Sequence, residues 1–97
     1  MAMGSYVIRM KVLPTGPEVP VQTLVDSIKG SLKEDMVLRS SREEPIAFGL
    51  YALMIDVVTP DVEGNVDKVE DVIAHAPNVA QSELHGVSRL SSQLKNV

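Results

Sequence analysis

The run Glu43-Glu44-Pro45-Ile46-Ala47-Phe48-Gly49-Leu50 separates two apolar segments of strand character, Met36 to Ser40 before it and Leu50 to Val58 after it. Its conformation decides whether those segments continue or fold back on each other. Pro45 lacks the amide proton that a sheet ladder uses, so the strand pattern should be interrupted here rather than run through. Gly49 permits a positive φ, or a close backbone approach, that a residue with a Cβ resists. Together they predict a bend or bulge between two strands, with Phe48 presented from it. Phe48 is also the only phenylalanine of the chain, and large apolar side chains favour the interior. Composition alone therefore favours Phe48 as a core plug, and the two placements stand as alternatives.

Upstream of the bend, Tyr6, Ile8, Met10 and Val12 alternate with Val7, Arg9, Lys11 and Leu13, which is a strand with one apolar face. Pro14-Thr15-Gly16-Pro17 ends it with turn chemistry. Val21, Leu24, Val25, Ile28 and Leu32 then recur at helical spacing behind Pro20, with Gly30 a weak point from which the helix could fray. Lys33-Glu34-Asp35 is a polar exit into a second strand, Met36 to Arg42. Beyond the bend, Leu50 to Val58 is nearly all apolar, as a central strand should be, and Thr59-Pro60-Asp61 should break it. Val62, Val66, Val69, Ile73 and Ala76 form a second helical stripe, entered through Gly64-Asn65 and stopped by Pro77. Val79 to Leu90 is a weaker last strand, diluted by Gln81, Ser82, Glu83, His85 and Gly86.

The order is β-α-β-β-α-β, which predicts an α+β, ferredoxin-like split βαβ sandwich over residues 5–90. Right-handed crossovers would put both helices on one face of a four-stranded antiparallel sheet. The polar run 91–97 is expected to be a mobile tail.

Ninety-seven residues with 44% apolar content suit one domain with an aliphatic core. With no cysteine, disulfides and thiolate metal sites are excluded. The net charge of −4 argues against a general nucleic-acid binder. No apolar run approaches the roughly 20 residues of a membrane span.

Few residues point to chemistry. His75 and His85 lack any Cys, Asp or Glu spacing that would complete a metal set, and read as exposed histidines. No serine sits in a nucleophile elbow. Gly16, Gly30, Gly49, Gly64 and Gly86 are too isolated for a phosphate loop. Glu43 and Glu44 are adjacent, so on a strand they point to opposite faces. Tyr6 and Tyr51 lack the basic surroundings of an RNA-stacking platform. In Leu13-Pro14-Thr15-Gly16-Pro17, two prolines remove amide donors that an anion loop would use. No catalytic residue, metal or cofactor is nominated, and composition and spacing stop at an α+β domain that binds a protein.

Glu-Glu-Pro-Ile-Ala-Phe-Gly-Leu, with Leu53 and the aliphatic strand behind it, closely resembles the archaeal translation elongation factor 1-beta family. Eukaryotic relatives carry a similar Pro-x-Gly/Ala-aromatic-Gly-Ile/Leu run. Lys11-Val12-Leu13-Pro14, Glu63-Gly64, Val79, Glu83, Val87, Arg89 and Leu90 fit as well, so the resemblance covers roughly residues 5–90. It implies a ferredoxin-like fold and a cytoplasmic nucleotide exchange factor, itself no enzyme, for the GTPase elongation factor 1-alpha. It implies no direct nucleic-acid or membrane partner, and a monomer is favoured. By the same resemblance Arg89 takes the place of the basic residue that reaches the Mg²⁺ and phosphate region of the GTPase. Pro45, Ile46, Phe48 and Gly49 would dock against the partner, Phe48 touching it or bracing the bend from inside.

Three departures temper the carry-over. The chain continues seven residues past Leu90, so Lys95 rivals Arg89 for the cationic role. Ser88 replaces a second basic residue of many archaeal relatives. Glu43 stands where eukaryotic relatives have an aromatic contact. The competing expectation is a ligand-sensing or structural module that dimerises through its sheet.

Overall fold

The computed structural model describes residues 4–91. Its elements are β1 (Gly4–Pro14), α1 (Val21–Ser31), β2 (Val37–Pro45), β3 (Tyr51–Pro60), α2 (Asn65–Ala74) and β4 (Val79–Ser91). The strands form one sheet in the order β2-β3-β1-β4. Every pairing is antiparallel: β1 with β3, β1 with β4, and β2 with β3. Each βαβ half therefore holds a strand of the other half between its own two, which is the ferredoxin-like arrangement. Among the described residues, no helix is long and apolar enough to cross a membrane.

Alternation along the strands produces the core. Ile8, Met10 and Val12 of β1 and Leu53, Ile55 and Val57 of β3 are buried on one face. They join Leu24, Val25 and Ile28 of α1 and Val69 and Ile73 of α2 in a single cluster, so both helices cover the same face. Burying each such side chain contributes about 1.5–3 kcal/mol, and that term sets the register, with Met10 opposite Ile55. A slip of one residue would turn every one of these side chains outward.

The helices begin and end where their local chemistry directs. Pro20, at φ −64°, leads into α1. Gly30 does not end that helix, which runs on to Ser31, whose hydroxyl donates to Ser27 O at 2.9 Å. Gly64 enters α2 at φ 89°. Asn65 is buried behind it and donates from Nδ2 to Thr59 Oγ1 (3.2 Å) and Pro60 O (3.0 Å). The sequence pattern assigned Thr59 to a strand break and Asn65 to the helix entry; in the structure they bond each other and fasten the start of α2 to the end of β3.

Several element boundaries differ from expectation. β2 passes Arg42 and includes Pro45, because among the described residues β2 is an edge strand, paired with β3 on one side only, and the other side needs no amide proton. β3 runs through Thr59 and Pro60 instead of breaking there; at its end Pro60 pairs only with Ser5. Met36 and Leu50 lie just outside the strands they were expected to begin, and Val62 precedes α2, half exposed. Gly4 and Ser91 pair with each other, extending β1 and β4 by one residue beyond 5–90.

Candidate partner-binding surface

The predicted bend is the tip of the β2–β3 hairpin. Its last Cα pair is Pro45 with Tyr51. Ile46 N–H donates to Leu50 O, and Leu50 N–H donates to Ala47 O, both at 2.9 Å. The turn across Ala47–Leu50 carries positive φ at both central residues, 58° at Phe48 and 78° at Gly49. Those signs belong to a type I′ turn, whose twist suits a hairpin and whose preferred residues are Asn-Gly. Phe48 is 96% exposed, with Ile46 at 52% and Leu50 at 39%. The core-plug placement favoured by composition is therefore corrected, and so is a brace from inside the bend. The reason is geometric: the apex lies beyond the last sheet pair, and no helix residue of the core cluster reaches it.

Beneath the apex the hairpin is anchored. Tyr51 is 6% exposed and donates its hydroxyl to Val19 O at 2.8 Å, tying β3 to the loop before α1. Burial, and then the nearby Glu43 charge, push its phenol pKa above the ordinary 10.0.

Arg89 lies elsewhere. In the β1–β4 register it stands opposite Tyr6, which in turn faces Thr59 across β1–β3. Its guanidinium pairs through Nη2 with Asp61 Oδ2, the arginine side chain 70% exposed and the aspartate 15%. Asp61, as hydrogen-bond acceptor and as negative charge, is the main reason the Tyr6 phenol pKa lies above the ordinary 10.0. From Tyr51 at the hairpin to Thr59 beside Tyr6 the strand advances about 26 Å. The structure therefore does not bring Phe48 and Arg89 together; they mark opposite ends of the sheet. Lys95 lies outside the described residues.

The uncovered sheet face is occupied by opposed charges. Arg9 donates to both oxygens of Asp56, at 2.9 and 3.1 Å, and Ser40 Oγ approaches Asp56 at 3.3 Å. The Arg9 hydrogen bond holds the Asp56 carboxyl below its ordinary 3.8. Arg42 pairs with Glu44 at 3.1 Å. Arg9, Ser40, Ser41, Arg42, Met54 and Asp56 line an open hollow of about 360 Å³. Tyr6 and Tyr51 are both on the opposite, helix-covered side.

His75 and His85 are exposed. His75, just past the end of α2, lies 3.4 Å from Asp71 of that helix, and His85 lies 3.2 Å from Glu83 of its own strand. Among the described residues no group of three or more His, Cys, Asp or Glu is placed to hold a metal. The sequence reading missed Asp61 and Tyr6 as partners of Arg89. Antiparallel pairing of β1 with both β3 and β4 would have put Tyr6 between them, but Asp61 follows the predicted strand and no period includes it.

Taken together, these features define a ferredoxin-like domain whose outstanding surface groups are an apolar hairpin tip and a tethered terminal arginine. The chain belongs to the family of the EF-1 guanine nucleotide exchange domain, which matches residues 7–90. It is 38% identical over 90 residues to elongation factor 1-beta of Desulfurococcus amylolyticus, covering 92% of this chain and 100% of that protein. The factor of the same name from Methanothermobacter thermautotrophicus is 38% identical over 88 residues, covering 91% of this chain and 99% of its own. That of Natronomonas pharaonis is 36% identical over 88 residues, covering 91% and 100%. Among solved structures, the C-terminal domain of the MgtC protein of Mycobacterium tuberculosis aligns with a TM-score of 0.49 at 15% identity over 86% of each chain, too slight a likeness to argue from.

Proposed function

We propose that this chain accelerates GDP release from the GTPase elongation factor 1-alpha in the cytoplasm, acting as a monomer and making no covalent bond itself. Family membership supports an exchange role. One observation carries the surface assignment: the only phenylalanine is held 96% exposed, at φ 58°, in a turn position that favours asparagine. Backbone strain at an exposed aromatic is what a docking contact requires and what stability alone would discard. Pro45 and Gly49 fix the shape of the tip, and Ile46 widens its apolar surface.

Exchange demands tighter binding to the empty GTPase than to the loaded one. By linkage, bound nucleotide then weakens the complex by the same factor. A thousand-fold faster release needs about 4 kcal/mol of differential stabilisation along the release path. The tip supplies apolar docking at one end of the sheet. Arg89 supplies a cation at the other, directed at the phosphate region of the partner, with Lys95 as the rival for that role. The partner must then be large enough to contact both ends.

The test is release of a fluorescent GDP from purified elongation factor 1-alpha, with and without this protein. Acceleration is expected, reduced at least tenfold by Phe48→Ala, the loss of about 1.4 kcal/mol of docking energy. An unchanged release rate, with the protein self-associating instead, would overturn the proposal.

A further inference from the structure

We infer that Asp61 is a positioning residue that aims the Arg89 guanidinium; the inference rests on the exchange reading above. Three strands meet at this point. Tyr6 belongs to β1, Asp61 directly follows β3, and Arg89 is on β4 opposite Tyr6. The Asp61 backbone is fixed, its N–H donating to Gly4 O at 3.1 Å. Its side chain is only 15% exposed and lies against Gly4, where an added Cβ would meet Asp61 Oδ2 at 3.2 Å. The carboxylate Oδ2 takes the Arg89 Nη2. It is an immobile acceptor with a defined direction.

Arg89 has the opposite character. It is on an edge strand, with its side chain 70% exposed. A free arginine there would sample many rotamers. The guanidinium fork presents five N–H donors in one plane. Asp61 engages one Nη and so restricts the fork, leaving its other donors for a phosphate or carboxylate group of the partner. Holding a rotamer-rich side chain in place before docking lowers the entropy lost on binding. The alternative is that Asp61 parks the arginine and cancels its charge, in which case removing the carboxylate would speed exchange.

A double-mutant cycle on GDP release from elongation factor 1-alpha separates these cases. Asp61→Asn keeps the volume and removes the charge, and should lower exchange efficiency roughly three- to tenfold. In an Arg89→Ala background the same change should have no further effect, because its route is gone. Asp61→Glu, which keeps the charge but displaces it by a methylene, should lose less than Asp61→Asn. Without the partner, the Arg89 Nε–H resonance in ¹H–¹⁵N spectra should be dispersed in the native protein and move to the solvent-averaged position in Asp61→Asn. The inference is overturned if Asp61→Asn leaves exchange unchanged or raises it, if the loss is equal in both backgrounds, or if the Arg89 resonance does not move. If the native protein gives no acceleration at all, the exchange reading fails and this role falls with it. If the native protein is active and Arg89→Ala is slow but uncoupled to Asp61, only the positioning role is lost.

Discussion

Phe48 sits where L-residues pay a steric penalty of roughly 1–2 kcal/mol. Asparagine tolerates the left-handed region better and suits a type I′ turn followed by Gly49. Phe48→Asn should therefore leave the unfolding midpoint unchanged or raise stability by up to about 1 kcal/mol, while exchange on elongation factor 1-alpha falls. Chemical denaturation and GDP release, measured on one preparation, test both halves; a loss of stability would show that the side chain braces the fold. Tyr51, at the base of the same hairpin, behaves in the opposite way. Tyr51→Phe strands the Val19 carbonyl and should cost about 1–2 kcal/mol. The Tyr51 pKa is raised in the folded protein. Its contribution to stability is thus fully present below the ordinary value of 10.0 and declines as the pH climbs from there through the folded value. Alkaline unfolding curves should be shallower in Tyr51→Phe than in the native chain.

Element-scale behaviour turns on backbone geometry more than on space. A Cβ added at Gly30 or at Gly49 would meet nothing within 4 Å, yet only Gly49 has a positive φ, +78°. Gly30→Ala should stabilise α1 by about 0.5–1 kcal/mol, since alanine loses less backbone entropy in a helix. Gly49→Ala should destabilise the hairpin by about 1 kcal/mol, because a Cβ is forced into the left-handed region. Thermal melts of the two variants should therefore shift in opposite directions; shifts of the same sign would contradict the assigned turn. The same distinction explains Pro45. A residue without an amide proton is tolerated in β2 because, among the described residues, β2 has a strand, β3, on one side only.

On the scale of the molecule, the sheet's uncovered face is tied across three strands by Arg9 of β1, Asp56 of β3 and Ser40 of β2. Because the folded Asp56 carboxyl titrates below its ordinary value, chiefly through the Arg9 hydrogen bond, this tie is intact above 3.8 and is lost as the pH falls through the lower folded value. Asp56→Asn should therefore flatten the acid limb of the stability curve and lower the neutral plateau by the same small amount, the Arg9 side of the pair being 62% exposed and screened by solvent. Acid titration of the unfolding midpoint checks this. The fold was legible because β1 and both helices carried clean periods, β3 was a long apolar run between turn signals, and the order β-α-β-β-α-β admits few packings under the crossover rule. Boundaries at Pro45 and Pro60 were not legible, because a proline's effect depends on whether a neighbouring strand needs its amide proton. Half of the candidate surface was visible in Pro45 to Gly49, but the direction of Phe48 was not.

The sequence by itself determined the elements, their order and the kinked connector between β2 and β3, since these follow from local periodicity and from what proline and glycine do to a backbone. Only the tertiary structure decided that Phe48 faces solvent and that Arg89 is held by Asp61. Exposure at a turn apex depends on how far the helices reach across the sheet. The Arg89–Asp61 pair exists only because β1 brings the ends of β3 and β4 to its two sides, a juxtaposition that no local pattern encodes.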